Sequence, residues 1–173
     1  MISRIPNAVR VDIDAAMRAR AAQDAKARQM QRTRASGQDS YIGTLGELTW
    51  AKLRYGDWRT FDTLHTKGQS DDTGPPGSVY GSVEVKTSKT RLSSQSHLMV
   101  REDYAHKRQP AFYVLVLIGQ DQKPQEECEA YVCGWATHAE VVARPPRERI
   151  SRHTQAKQGL PAAMRWRAAS CMR

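Results

Sequence analysis

Val79-Tyr80-Gly81-Ser82-Val83-Glu84-Val85-Lys86-Thr87 is the stretch on which the fold of this 173-residue chain turns. Its second half alternates as a strand does, with Val83 and Val85 on one face and Glu84 and Lys86 on the other. The apolar row asks for a core. The charged row holds an acid and a base roughly 6–7 Å apart along the strand. Downstream, Ala111–Ile118 (AFYVLVLI) is the most apolar run in the chain. Its length and β-branched content predict a central strand covered on both faces.

Working outward, residues 12–34 read as a helix of Ala, Arg, Gln and Met, capped by Asp12 or Asp14 and ended by Ala35-Ser36-Gly37. Its apolar content is mostly alanine, which predicts a protruding basic helix or a docking arm. A second helix is predicted from Ser40, as cap, to Tyr55, with Gly56 as its stop. Ile42, Leu45, Thr49 and Leu53 share one stripe, and Gly43, Gly46 and Trp50 another, with Glu47 at its margin. Two glycines inside a helix imply close approach to another backbone. Trp58–Leu64 reads as a strand, 65–78 as a loop rich in Gly, Pro, Asp and Ser, and Lys89–Ser96 as a polar loop. Glu102–Arg108 is expected to be a short helix, Glu129–Trp135 a strand, and Thr137–Ala143 a helix capped by Thr137. One short element is expected at Leu160–Trp166.

This order predicts an α/β fold, a central mixed β-sheet flanked by helices. A basic helical segment (1–39) precedes a core (40–145), and a basic extension (146–173) follows it. No internal repeat is visible.

The formal net charge is +9 and is unevenly placed. Residues 1–40 carry 8 Lys/Arg against 4 Asp/Glu, residues 144–173 carry 8 against 1, and residues 41–143 carry 11 against 13. Basic flanks around an acidic centre suit a polyanionic partner and a carboxylate cluster that holds metal. Cys128, Cys133 and Cys171 lack zinc-like spacing and read as free thiols of a reducing cytoplasm. No run approaches the ~18 apolar residues of a membrane span. The five histidines are scattered and read as surface or satisfied core residues.

The chemistry centres on Glu84 and Lys86. An aspartate arriving from the preceding loop, Asp72 or Asp71, can meet Glu84 at one cation, and the carbonyl of Val85 can add an oxygen. Such donors suit Mg²⁺, which prefers oxygen and keeps part of its water shell. The cation would polarise a scissile phosphate and acidify a water, while Lys86 would orient or activate that water. Nearby carboxylates favour a charged lysine and burial a neutral one.

Asp71-Asp72 followed by Glu84-Val85-Lys86-Thr87-Ser88 resembles the PD-(D/E)XK nuclease superfamily. Gly43-Thr44-Leu45-Gly46-Glu47 is similar to the first-helix motif of several of its families. The likeness covers about residues 40–145. It implies a restriction-endonuclease-like core and Mg²⁺-dependent hydrolysis of DNA, with Mn²⁺ as a substitute. Glu47, Asp72 and Glu84 would bind metal, with Lys86 catalytic. Ser70-Asp71-Asp72 stands where the family usually has proline then aspartate, so both aspartates stay candidates. Lys89 and Arg91, beside the charged strand, are expected to contact phosphates. Arg165 and Arg167 could clamp phosphates around Trp166, or lie in solvent while Trp166 packs inward. The N-terminal helix is the candidate contact for a homodimer. The competing reading is a non-catalytic DNA-binding accessory protein on a nuclease-like fold. An RNA-binding module lacks its aromatic motif here.

Overall fold

A computed structural model describes residues 8–30, 36–64, 83–89, 96–107, 109–119, 129–145, 147–148 and 165–170. Strand β1 (Val9–Asp12) leads into α1 (Ala15–Met30), α2 (Gly37–Tyr55) and α3 (Thr60–Leu64). There follow β2 (Val83–Ser88), β3 (His97–Arg101), α4 (Glu102–Lys107), β4 (Phe112–Gly119), β5 (Glu129–Thr137), α5 (His138–Ala143), β6 (Arg147–Glu148) and β7 (Arg165–Ser170).

Four strands form a mixed sheet in the order β1-β5-β4-β2, in which β2 runs parallel to β4 and the other pairings are antiparallel. The apolar run occupies β4, inside this sheet. Its residues split by parity into two cores. Val114, Val116 and Ile118 join Val83 and Val85 beneath α1 and α2. Tyr113, Leu115 and Leu117 join Leu98, Val100, Ala105 and Val141 from β3, α4 and α5. Each fully buried side chain of this size contributes roughly 1.5–3 kcal/mol by leaving water. A smaller sheet, β3-β7-β6, supplies part of the second layer. The chain is thus α/β, with a mixed sheet flanked by helices.

Residues 9–30 do not form a protruding arm. Asp14 accepts from the Met17 amide at 2.8 Å and caps α1, while the preceding residues pair with β5. Met17, Ala21 and Ala25 are buried. Small alanines let α1 lie close on α2, so a helix too apolar-poor to stand alone becomes part of the core. Helix α2 starts earlier than expected, capped by Ser36, whose Oγ accepts from the Asp39 amide at 3.1 Å. It stops at Gly56, which takes φ +80° and donates its amide to the Lys52 carbonyl. Leu53 lies outside the buried stripe.

Trp58–Leu64 is not a strand. Asp57 turns the chain: its carboxylate accepts from the Arg59 amide, and its carbonyl from the Thr60 amide and hydroxyl. This local hydrogen bonding starts α3 and outweighs the β-forming aromatics around it. The loop expected over 65–78, the first part of the strand expected from Val79, and residues 90–95 lie outside the described residues. Of the element expected at Leu160–Trp166, residues 160–164 lie outside the described residues, and Arg165 and Trp166 begin β7. No helix among the described residues is long and apolar enough to cross a membrane.

The two α2 glycines differ. A Cβ on Gly46 would collide with Thr87 of β2, whereas one on Gly43 would meet nothing within 4 Å. Gly46 therefore permits the close helix–strand approach, and Gly43 does not. Gly43→Ala is expected to stabilise the protein by about 0.5–1 kcal/mol, because alanine loses less backbone entropy in a helix. The midpoint of urea unfolding should rise, and an unchanged or lower midpoint would contradict this.

Candidate active site

Glu84 and Lys86 project from β2 on the face opposite α2, since Val83 and Val85 are committed to the core beneath the helices. Glu84 is only 6 % exposed. Lys86 Nζ donates to its Oε1 as an ion pair. Taking a carboxylate out of water costs several kcal/mol unless a charge and hydrogen bonds replace the solvent, so the lysine two residues on helps hold the acid there.

Two tyrosines flank the pair, and His138 contacts one of them. In the parallel β2–β4 ladder Glu84 stands in register with Tyr113. Burial, with the charge of Glu84 as a second cause, pushes the Tyr113 hydroxyl up to about 12. The phenol therefore stays protonated at neutral pH. Its oxygen lies 3.2 Å from Nδ1 of His138, and the two rings stack at 6.0 Å. The hydrogen bond lets the buried hydroxyl dispense with water.

His138 is brought there by β5. Across from the Leu115–Val116 step the strand bulges around Cys133, and Gly134 takes φ 142°. An extra residue resets the alternation, so that Ala130 and Val132 face the helices while Cys133 and Ala136 face the second layer. Thr137 then caps α5 through a reciprocal pair with Glu140, which orients the helix start that carries His138. On the other side of Lys86 lies Tyr104 of α4, its ring centroid 5.8 Å from Nζ. Arg101 sits over the same ring at 4.7 Å and is held by two hydrogen bonds to Asp103, of 3.0 and 2.7 Å.

Glu47 has a different setting. It is 7 % exposed, on α2, and its Oε2 accepts from Arg28 Nη2 at 3.4 Å. Arg28 also pairs with Asp24 at 2.6 Å, and Asp24 accepts from the Thr44 hydroxyl at 2.7 Å. This network ties α1 to α2, which cover the other face of the sheet. The described contacts bring Glu84 and Lys86 together with Tyr113 and Tyr104, and place Glu47 with Arg28.

Val85 directs its side chain into the helical core. Lys89 is half-buried, 3.8 Å from Asp39. Asp71, Asp72 and Arg91 lie outside the described residues. Arg165 and Arg167 are on β7, in register with Glu148 and Val100 respectively. Among the described residues no group of three or more His, Cys, Asp or Glu side chains could hold a metal ion. Cys133 is buried, its thiol donating to the Tyr131 carbonyl at 3.5 Å, and His97 is exposed on β3.

Sequence reasoning missed Tyr104, Tyr113 and His138 as members of the site. Tyr113 reads as one more core aromatic until the register places it beside Glu84. The signal for His138 was its position directly after the Thr137 cap. No family model, no curated protein and no solved structure matches the chain.

Proposed function

We propose that the chain is a metal-dependent phosphodiesterase acting on DNA, of the PD-(D/E)XK kind, with Glu84 and Lys86 at its centre. The observation that carries this reading is a buried carboxylate paired with the lysine two residues along a strand, on the sheet face opposite α1 and α2. The mixed sheet and the +9 charge support it.

A hard divalent ion would be held by oxygen donors, the Glu84 carboxylate and the Val85 carbonyl, with Asp72 or Asp71 completing the group. Mg²⁺ is commonly held by one or two carboxylates plus water. When bound it supplies the charge that polarises a phosphate and makes water a stronger acid. The chain's own residues do the positioning. Glu84 anchors the site from a buried strand. Lys86, with three donor directions, spends one on Glu84 and has others for a phosphate oxygen or the attacking water. Tyr113, neutral and bonded to His138, forms a wall beside Glu84 that excludes solvent.

The test is incubation with linear, supercoiled, single-stranded and branched DNA in Mg²⁺, Mn²⁺ or EDTA. Cleavage is expected in either metal, none in EDTA, and at least a hundredfold loss in Glu84→Gln with DNA binding retained. Salt-dependent binding without cleavage of any substrate would sink the nuclease reading and leave a DNA-binding accessory protein.

A further inference from the structure

Tyr104 has no part in the proposed chemistry, yet its placement is unusual for a core-forming aromatic. It is 40 % exposed, while its neighbour Ala105 is buried in the second core. Helix α4 is thereby anchored by the alanine and presents the tyrosine outward. Two cationic groups lie over its ring, Arg101 at 4.7 Å and Lys86 at 5.8 Å. Arg101 is also restrained by its two bonds to Asp103.

We propose that Tyr104, with Arg101 over its ring, is a stacking platform for an unpaired base of a single-stranded nucleic acid, adjacent to a phosphate held at Lys86. The location of the phosphate rests on the nuclease reading. The platform itself rests on the aromatic and its cations. An aromatic face and a planar guanidinium are the groups on which successive bases of a single strand stack, and every base offers a π-face, so recognition is independent of sequence. A base inside a duplex is already stacked on both sides and cannot use the ring without leaving its partner. The site therefore selects single strands, frayed ends or branches over continuous duplex.

Charge plays the smaller part. Asp103 offsets the charge of Arg101, and Glu102 stands beside it at the start of α4. The contribution of Tyr104 should accordingly be insensitive to salt. A lost phosphate contact would instead flatten the salt dependence by about 0.7 in log–log slope.

The experiment is fluorescence anisotropy in EDTA, which prevents metal-dependent cleavage, with a labelled oligothymidylate and a duplex of equal length. Wild type, Tyr104→Ala and Tyr104→Phe are titrated at several salt concentrations, with circular dichroism confirming the fold. Tyr104→Ala is expected to weaken single-strand binding about tenfold, as loss of one stacked base does. Its salt slope should be unchanged and its duplex affinity within about twofold of wild type. Tyr104→Phe, which keeps the ring, should bind like wild type. Equal losses on both substrates, a flattened slope, or no loss on the single strand would overturn the platform. Absence of nucleic-acid binding by the wild type would overturn both readings. Tyr104-dependent binding by a protein that cleaves nothing in Mg²⁺ would support the platform and overturn the nuclease reading alone.

Discussion

Lys86→Met is expected to lower stability by about 3 kcal/mol and to reduce metal-dependent cleavage at least a hundredfold, while Glu84→Gln/Lys86→Met regains most of the stability and none of the activity. The two halves separate structure from chemistry. The Glu84 side chain is 8 % exposed and that of Lys86 27 %. Removing the lysine leaves a carboxylate in a nearly dry site, and breaking a buried pair in this way costs about 3–5 kcal/mol. The lower end applies because the ammonium keeps some contact with solvent. Glu84→Gln alone should cost less, since Lys86 can turn toward water and the face of Tyr104. Replacing both by neutral groups of similar size removes the charge imbalance, which is why such double replacements are often near neutral. On the proposed mechanism activity should not recover, because the anion that would anchor the site and the donor that would meet the phosphate have both gone. Thermal unfolding and cleavage assays on the three variants read both quantities. A fully active Lys86→Met would remove the lysine from the chemistry, and a double variant no more stable than Lys86→Met would remove the imbalance as the cause.

Gly46→Ala is expected to destabilise by about 2–3 kcal/mol, in contrast to the gain at Gly43 three residues earlier on the same helix. The new Cβ would fall 1.9 Å from Thr87 Oγ1 and 2.9 Å from both Thr87 Cβ and Cγ2. Rotating the threonine removes the first clash but not the contact with its Cβ, so α2 and β2 must separate. Overpacking of this kind costs about 1–3 kcal/mol, offset only in part by alanine's helix preference. Thr87 follows Lys86 on β2, and a displaced strand end carries the lysine with it. Cleavage should therefore fall along with stability. Thr87→Gly, which removes every side-chain atom in the way, should make the Gly46→Ala change much less costly despite its own penalty in a strand. Unfolding midpoints of the two single variants and the double variant give the coupling. Strictly additive effects would show that the helix–strand contact is not the source.

What could be read from residues alone is what short-range physics governs. The alternation of Val83, Glu84, Val85 and Lys86 assigns their faces, because neighbouring side chains of a strand point opposite ways. Gly56 ends α2 and Thr137 begins α5 because capping needs only residues within a turn. The apolar content of β4 announces a strand covered on both sides. The same local physics explains Trp58–Leu64, where the composition suggested a strand but Asp57 turned the backbone into a helix. The short strands Val9–Asp12 and His97–Arg101 went unread, since four or five residues carry little periodic signal and their partners lie far along the chain.

Only the tertiary structure decided which residues surround Glu84. Tyr113 reaches it through a parallel register between strands 29 residues apart in Glu84–Tyr113 numbering, and a slip of one residue would have turned Tyr113 away. His138 reaches Tyr113 through a bulge, and Tyr104 reaches Lys86 through a six-residue helix packed on the second core. Glu47 was set against Arg28 by the choice of sheet face that α2 covers. Local sequence specifies an element and its apolar side. Which other element covers that side is chosen by the burial of both together, a non-local free energy that no single segment contains.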